Sequence, residues 1–188
     1  MSEFTPIPAS AQRRVRWKNG AGWTTEIAAR PDGDFDWRLS VAEVDVDSEF
    51  SRFPGIDRTL LVLSGPGMTL HIGDAPPVHL QPGRAHAFPG DLAARCTVTA
   101  PTRDFNCMTR RGACSHTLTI LDAPVIHRPA RTTTAVYAID GHAELADRFT
   151  LTPGDCLLLE PAAADRPPIS VRGQATLVIV RLTTDPPR

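Results

Sequence analysis

Prolines are scattered along the whole of this 188-residue chain, and they leave little room for α-helices of ordinary length. The chain holds 18 prolines, about twice the share of a typical protein. Between the prolines and glycines, short apolar runs and alternating apolar and polar residues recur, as in 23–29, 35–44 and 58–64. This pattern predicts a nearly all-β protein. The one segment in which we expect a helical turn is 104–112, where the residue types are mixed.

Charge and hydropathy exclude several classes of partner. Lysine and arginine total 20 against 21 aspartates and glutamates, so the net charge is −1 and no long-range field attracts nucleic acid or an anionic membrane. No apolar run approaches the roughly 18 residues of a membrane span, and the first residues lack a secretory pattern. We therefore expect a cytoplasmic protein with neither nucleic acid nor membrane as partner.

The four cysteines are predicted to be reduced and at least partly buried. They stand at Cys96, Cys107, Cys114 and Cys156, with no Cys-x-x-Cys pair and no spacing of the zinc-finger type.

A repeated order of strands and turns divides the chain in two. The segments Leu80-Gln-Pro-Gly83 and Leu151-Thr-Pro-Gly154 stand 71 residues apart, and each follows a strand, a turn and a second strand. Pro-Gly suits a turn in which proline fixes φ and glycine supplies a positive φ. The repeat predicts two copies of one small β-barrel, over 1–112 and 113–188, with terminal strands that could be exchanged between them.

The repeated frame resembles the cupin barrel, whose metal ligands are largely missing here. The residues from Gly65 to His71 have the opening spacing of the first cupin motif, but Gly73 stands where a second histidine belongs and no glutamate follows. His79 and His86 could join His71, yet metal sites need three or four converging ligands, usually with carboxylate help. We therefore predict no metal and no cofactor, with these histidines on a barrel wall or on the surface.

A closer resemblance covers almost the whole chain. Three separated motifs, WKNGAGWTTEIA at 17–28, FSRFPGIDRTLLVLSGPGMTL at 50–70 and PGDLAARCTVTAPTRDFNCMTRRG at 89–112, occur in the same order in the HutD/Ves family of double-cupin proteins, which this sequence resembles. Ala21 replaces a glycine of the first motif. The resemblance implies a bicupin of two fused barrels. It also implies a link to histidine utilisation, in which the protein would sense an intermediate such as formylglutamate or urocanate.

In the first motif, strand alternation places Thr24 and Glu26 on one face of a strand, while the opposite face is mostly apolar. If the polar face lines a barrel lumen, both side chains point at a ligand. If it faces water, they belong to a solvated edge. The sequence alone leaves both open, and the family resemblance favours the lumen.

The turn before that strand carries Trp17, Lys18 and Asn19. Asn-Gly is a strong hairpin signal, so Asn19 has a structural explanation as well as a predicted polar contact to the ligand. A rigid aromatic wall and a cation beside a glycine-rich turn suit a small anion. The alternative is that Trp17 plugs a barrel end while Lys18 is solvated.

The second motif adds Phe53 and Arg58. Phe53 lies in a turn that we expect to pack at the mouth of the barrel. Arg58 is expected to pair with Asp57 or with an outside carboxylate, and pairing within the protein is favoured because surface ion pairs are common.

The third motif adds Asn106, Met108 and Arg110. If this segment is extended, Asp104, Asn106 and Met108 share one face, and the Asn106 amide can both donate and accept hydrogen bonds. The planar fork of Arg110 suits a carboxylate. The alternative for Arg110 is a salt bridge to Glu26, Asp91 or Asp104, and such a bridge is favoured for Arg111.

These observations favour a binding protein that holds a small carboxylated metabolite in its N-terminal barrel. No catalytic residue is predicted, because no paired nucleophile and base or phosphate-binding loop is visible. The alternatives are a metal-independent cupin isomerase or hydrolase with Glu26 as general base, and a structural module whose lumen is filled by side chains. Exposed edge strands would allow a homodimer. The predicted ligand-binding residues are Trp17, Lys18, Asn19, Thr24, Glu26, Phe53, Arg58, Asn106, Met108 and Arg110.

Overall fold

The prediction of an all-β chain is confirmed. The structure, a computed structural model, describes residues 3–17, 20, 22–127, 132–161 and 168–184. Within these ranges the one helical element is a 3₁₀ turn at Ala9–Ala11, and no helix is long and apolar enough to cross a membrane. The strands are β1 Phe4–Ile7, β2 Arg13–Arg16, β3 Gly22–Arg30, β4 Trp37–Val44, β5 Ser48–Phe50, β6 Ile56–Ser64, β7 Met68–Ile72, β8 Val78–Leu80, β9 Ala85–Pro89, β10 Ala94–Thr97, β11 Thr102–Arg110, β12 Cys114–Asp122, β13 Val125–His127, β14 Thr133–Leu145, β15 Phe149–Leu151, β16 Cys156–Leu159 and β17 Ile169–Thr184.

The prediction of a helical turn at 104–112 is wrong. Most of this segment belongs to β11, which pairs with β4 on one side and β6 on the other, and the chain turns only after Arg110. Phe105 and Cys107 are fully buried on one face of β11, while Asp104, Asn106 and Met108 are buried on the other. A strand covered on both faces mixes apolar and polar residues without a clear period of two, which explains the error.

The described residues fall into two compact units. The central unit is Arg13–Ala113, and the terminal unit combines Met1–Gln12 with Cys114–Arg188. We predicted a division into 1–112 and 113–188. The observed division differs mainly in the first twelve residues, which belong to the second unit instead of the first. They belong with the second half because β1 adds to its sheet by antiparallel pairing with β16.

The central unit contains a six-stranded sheet in the order β2-β3-β4-β11-β6-β9 and a four-stranded sheet in the order β5-β10-β7-β8. Apolar side chains from both sheets form its core, among them Leu60 and Val62 of β6 and Leu70 of β7, each fully buried. Neither strand order returns to its first strand, so the pairings among the described residues leave both sheets open.

The terminal unit is built on one seven-stranded sheet in the order β1-β16-β14-β17-β12, with β13 paired to β17 and β15 paired to β14. Its core includes Leu145, Leu157 and Leu177, which are almost completely buried. The described pairings leave this sheet open as well.

The two Leu-x-Pro-Gly turns adopt the same backbone geometry in the two units. Gly83 and Gly154 have φ of 79° and 93°. The Gly83 amide donates to the Val62 carbonyl, and the Gly154 amide donates to the Ala138 carbonyl, each at 2.9 Å. A residue with a side chain resists this positive φ, which accounts for the glycine in both copies.

The cysteines and histidines show no shared site. All four cysteines are buried thiols, as predicted, and burial raises the pKa of the Cys96 and Cys156 thiols to about 12. Among the residues that the structure describes, no three of histidine, cysteine, aspartate and glutamate lie close enough to hold a metal ion.

Candidate functional site

A cavity of about 660 Å³ opens on one face of the six-stranded sheet of the central unit. Strands β2, β3, β4, β11 and β6 form its floor, and Trp17 with the segment 49–53 forms a wall. The cavity is lined by Arg13, Val15, Arg16, Trp17, Thr24, Glu26, Arg38, Ser40, Ala42, Glu49, Phe50, Ser51, Phe53, Arg58, Asn106 and Met108.

Strand register explains why these side chains meet. Arg13, Glu26, Ser40 and Asn106 stand opposite one another across β2, β3, β4 and β11, so they form one row on one face of the sheet. Residues two positions along a strand share that face. A second row therefore brings Met108 of β11 beside Arg38 of β4 and Arg58 of β6.

Thr24 and Glu26 both line the cavity on the same face of β3, although the described strand pairings do not close a barrel lumen around it. Trp23 lies on the opposite face of β3, where the guanidinium groups of Arg14 and Arg16 stack over its ring at 4.1 and 4.9 Å. The alternation expected for this strand is therefore observed.

Arg58 is a cation buried at the inner end of the cavity. Its residue is 4% exposed, and its Nη2 donates to Asn106 Oδ1 at 2.8 Å. Its Nε is buried and has no hydrogen-bond partner among the described residues. Burial lowers the pKa of Arg58 to about 10, a shift that Asp104 opposes, so the side chain stays charged at neutral pH.

Three phenylalanines surround the Arg58 guanidinium. Its central carbon lies 5.5 Å from the ring centroids of Phe50 and Phe53 and 5.0 Å from that of Phe88. Cation–π contacts of this kind stabilise a desolvated cation, yet they leave its N–H groups free to donate to an anion.

The expected pairing of Arg58 with Asp57 is wrong. Adjacent residues of β6 face opposite ways, so Arg58 points inward while Asp57 points outward and pairs with Arg111 at 3.1 Å. Arg111 also pairs with Asp91, as predicted, and Asp91 accepts the Gly55 amide at 3.0 Å. The Gly55 amide and Arg111 together hold the pKa of Asp91 below its usual value.

Asp104 lies behind the cavity lining and is completely buried. Its Oδ1 accepts a hydrogen bond from Asn106 Nδ2, and its Oδ2 has no partner among the described residues. Burial raises the pKa of Asp104 to about 7, against the opposing effects of Arg58 and Asn106. Asn106 therefore connects a buried cation to a buried acid.

Glu26 is held by arginines. Arg38 Nε donates to Glu26 Oε2 at 2.6 Å, and Arg13 Nη2 lies 3.8 Å from Oε1. The pair of Glu26 and Arg38 is about four-fifths buried on both sides. Glu26 thus helps to position Arg38 and compensates its charge.

The indole of Trp17 closes one side of the cavity. Its Nε1 donates to Thr24 Oγ1 at 2.7 Å, and its ring packs edge-on against Phe50 with centroids 6.3 Å apart. The predicted site residues Lys18 and Asn19 lie outside the described residues.

Arg110 does not line the cavity. It forms ion pairs with Asp34 and with Asp36, the latter at 3.6 Å, and it donates to the Phe35 carbonyl at 3.0 Å. Its position at the end of β11 brings it to the loop between β3 and β4. The salt-bridge alternative thus describes its contacts, although none of the three expected acids is its partner.

The structure brings seven of the ten predicted residues to the cavity: Trp17, Thr24, Glu26, Phe53, Arg58, Asn106 and Met108. Sequence reasoning missed Arg38 and Ser40, which stand at the centre of the floor. A signal was available, because both have the same parity within the predicted strand 35–44 and are polar among apolar neighbours.

Comparison with known proteins agrees with the three sequence motifs. The HutD family model matches residues 9–179. The chain belongs to the HutD family. It is 34% identical over 169 residues to an uncharacterized 21.2 kDa protein in the hutC 3′ region of Pseudomonas putida, with 85% of this chain and 88% of that protein covered. The HutD family is thereby linked to the hut region.

Solved structures support the fold. HutD from Pseudomonas fluorescens is 29% identical to this chain and superposes with a TM-score of 0.88 over 97% of this chain and 100% of its own. A cupin 2 conserved barrel domain protein from Leptotrichia buccalis superposes with a TM-score of 0.58 over 91% of this chain and 96% of its own. At 11% identity this second likeness concerns the fold alone, which is cupin-like.

Proposed function

We propose that this HutD-family protein binds a small carboxylated metabolite in the cavity of its central unit and acts as a regulator of histidine utilisation. Formylglutamate and urocanate are the candidate ligands. The proposal includes a bicupin architecture, for which the cupin-like neighbours and the two matching Leu-x-Pro-Gly turns are the support.

The observation that carries the proposal is the Nε of Arg58, which is buried and has no hydrogen-bond partner in the part of the chain that the structure describes. A buried donor without a partner costs free energy, and a charged donor costs more than a neutral one. A carboxylate in the cavity would accept from this N–H and neutralise the guanidinium. Arginine presents its donors in a fork that matches the two oxygens of a carboxylate.

The rest of the lining suits a flat anion with an apolar body. Trp17, Phe50 and Phe53 provide aromatic walls, and Met108 adds an adaptable apolar contact. Ser40 is 3% exposed and brings a hydroxyl to the floor. Arg13, Arg38 and Arg58 line the cavity together with Glu26 and Glu49, whereas the Arg16 guanidinium stacks over Trp23 on the opposite face, so the charge of the lining favours an anion.

Relatives of the chain support the same assignment. The Pseudomonas putida relative lies in the hutC 3′ region, which supports a role in histidine utilisation. The structure of HutD from Pseudomonas fluorescens was determined in a formate condition, and formate is the smallest carboxylate.

The enzyme alternative, with Glu26 as general base, is less well supported. The Glu26 carboxylate is already engaged by Arg38 at 2.6 Å, and a base must accept a proton from a substrate at that distance. A module filled by its own side chains is disfavoured by the cavity of about 660 Å³.

Isothermal titration calorimetry with formate, urocanate and formylglutamate tests the proposal. Arg58→Met should reduce the affinity for each ligand that binds by at least about tenfold, because charge-assisted hydrogen bonds contribute roughly 1.5–3 kcal/mol each. Arg52→Met is the matched control, since Arg52 is exposed and does not line the cavity. No heat from any of the three carboxylates, or equal affinities of the two variants, would refute the proposal.

A further inference from the structure

We propose that the binding of a carboxylate at Arg58 is coupled to the uptake of one proton by Asp104, so that the site accepts one carboxylate group together with a proton. This inference rests on the proposed function and extends it to a residue that does not line the cavity. Asp104 would be a positioning residue: it acts on the ligand through Asn106 and Arg58.

The geometry places an acid where its charge depends on Arg58. Asp104 is completely buried, and Oδ2 has no hydrogen-bond partner among the described residues. Its Oδ1 is bound by Asn106 Nδ2, while Asn106 Oδ1 accepts from Arg58 Nη2 at 2.8 Å. The amide of Asn106 is thus fixed between the two groups, with its donor toward the acid and its acceptor toward the cation.

The groups around Asp104 leave Arg58 as its main counter-charge. Cys96 of β10 also interacts with Asp104, but its thiol has a pKa of about 12 and stays neutral. Arg38 of β4 acts on Arg58 rather than pairing with Asp104, and it is bound to Glu26 of β3. The in-register neighbours of Asp104 on β4 and β6 are Ala42 and Val62, which carry no charge.

The ligand and Asp104 therefore compete for one cation. Without ligand, the Arg58 guanidinium favours the ionised form of Asp104. A bound carboxylate takes over that cation in a site of low dielectric, so the Asp104 carboxylate loses its compensation and takes up a proton from the solvent. At pH 8 the buried cluster stays neutral overall: ionised Asp104 balances Arg58 before binding, and the ligand carboxylate balances it afterwards.

Two results follow from this coupling. The affinity for formate should fall by about tenfold between pH 6 and pH 8, which is the change that a single proton with a pKa near 7 produces by linkage. Formate itself stays ionised throughout, since its own pKa is close to that of an ordinary carboxyl group. The uptake should approach one proton per formate at pH 8, where Asp104 is ionised before binding.

Calorimetry with sodium formate at pH 8, in buffers of different ionisation enthalpy, counts the protons taken up. Wild type and the control Asp34→Asn, whose side chain is 94% exposed, should take up close to one proton per site. Asp104→Asn should still bind formate, with uptake near zero and an affinity that no longer falls toward pH 8. Infrared difference spectra of the wild-type protein detect the same protonation without a variant. Addition of formate should produce the band of a protonated carboxyl group.

The outcomes of these measurements separate the proton coupling from the proposed function. Formate binding without proton uptake, or uptake that survives in Asp104→Asn, would overturn the coupling and leave the proposed function standing. A variant that fails to fold leaves the infrared band as the deciding observation, and its absence would overturn the coupling. No binding of formate, urocanate or formylglutamate at pH 6 would overturn the proposed function itself.

Discussion

Replacing Asp104 by asparagine is expected to flatten the pH dependence of the stability of the central unit. The pKa of Asp104 is about 7 in the folded protein, against an ordinary value of 3.8. Between these values the folded state holds a proton that the unfolded state has released, so stability falls as the pH rises from about 4 to about 7. The full pKa shift corresponds to about 4 kcal/mol in the free energy of unfolding, and about 2 kcal/mol of this stability is lost between pH 5 and pH 7.

Tryptophan fluorescence can follow this effect in the right part of the chain. All three tryptophans, Trp17, Trp23 and Trp37, belong to the central unit that contains Asp104. Urea unfolding at pH 5, 6 and 7 should show wild type losing about 2 kcal/mol more than Asp104→Asn over this interval. Asp34→Asn, which changes an exposed carboxylate, should follow wild type.

Parallel losses of stability in wild type and Asp104→Asn would refute the reasoning. They would mean that the pKa of Asp104 in the folded protein is close to its ordinary value.

Three further changes test the fold and the burial of particular residues. Gly67→Ala should destabilise the central unit by about 1–3 kcal/mol, because a Cβ would stand 2.3 Å from the Leu80 carbonyl oxygen. Gly73→Ala is the control: Gly73 also has a positive φ, but a Cβ there would meet no atom within 4 Å, so this change should cost less stability. Equal urea midpoints for the two variants would contradict this prediction. Leu157→Ala should cost about 2–5 kcal/mol in thermal unfolding, since Leu157 is fully buried in the terminal unit, and an unchanged melting temperature would exclude that packing. None of the four buried cysteines should react with a thiol reagent before unfolding, so rapid labelling of the native protein would contradict their placement.

The sequence was most informative where side-chain parity alone decides the outcome. Proline spacing and alternation predicted an all-β chain, and parity placed Thr24 and Glu26 on one face of a strand. Parity placed Asn106 and Met108 on one face only on the condition that their segment is extended, although we also expected a helical turn at 104–112. All four side chains line the cavity. These predictions needed only the period of a β-strand.

The surroundings of Arg58 could not be predicted in the same way. Its burial depends on Phe50 at the end of β5, Phe53 in the loop before β6 and Phe88 of β9, which meet at its guanidinium only in the folded unit. A sequence shows the neighbouring Asp57 as the obvious partner, whereas the inward direction of Arg58 follows from tertiary packing.

The repeat allowed an exchange of terminal strands between the two halves, but it did not indicate which strand would be exchanged. Residues 1–12 join the terminal unit through pairing of β1 with β16, a contact between parts of the chain that are far apart in sequence. Burial on both faces of β11 concealed its strand pattern and suggested a helical turn.

A crystal structure of the protein soaked with formate tests the central claim most directly. We expect a formate oxygen within about 3 Å of Arg58 Nε, inside the cavity and beside Phe50 and Phe53. Formate bound only elsewhere, or an Arg58 Nε that already donates to a protein oxygen, would contradict the claim that this buried cation binds a ligand carboxylate.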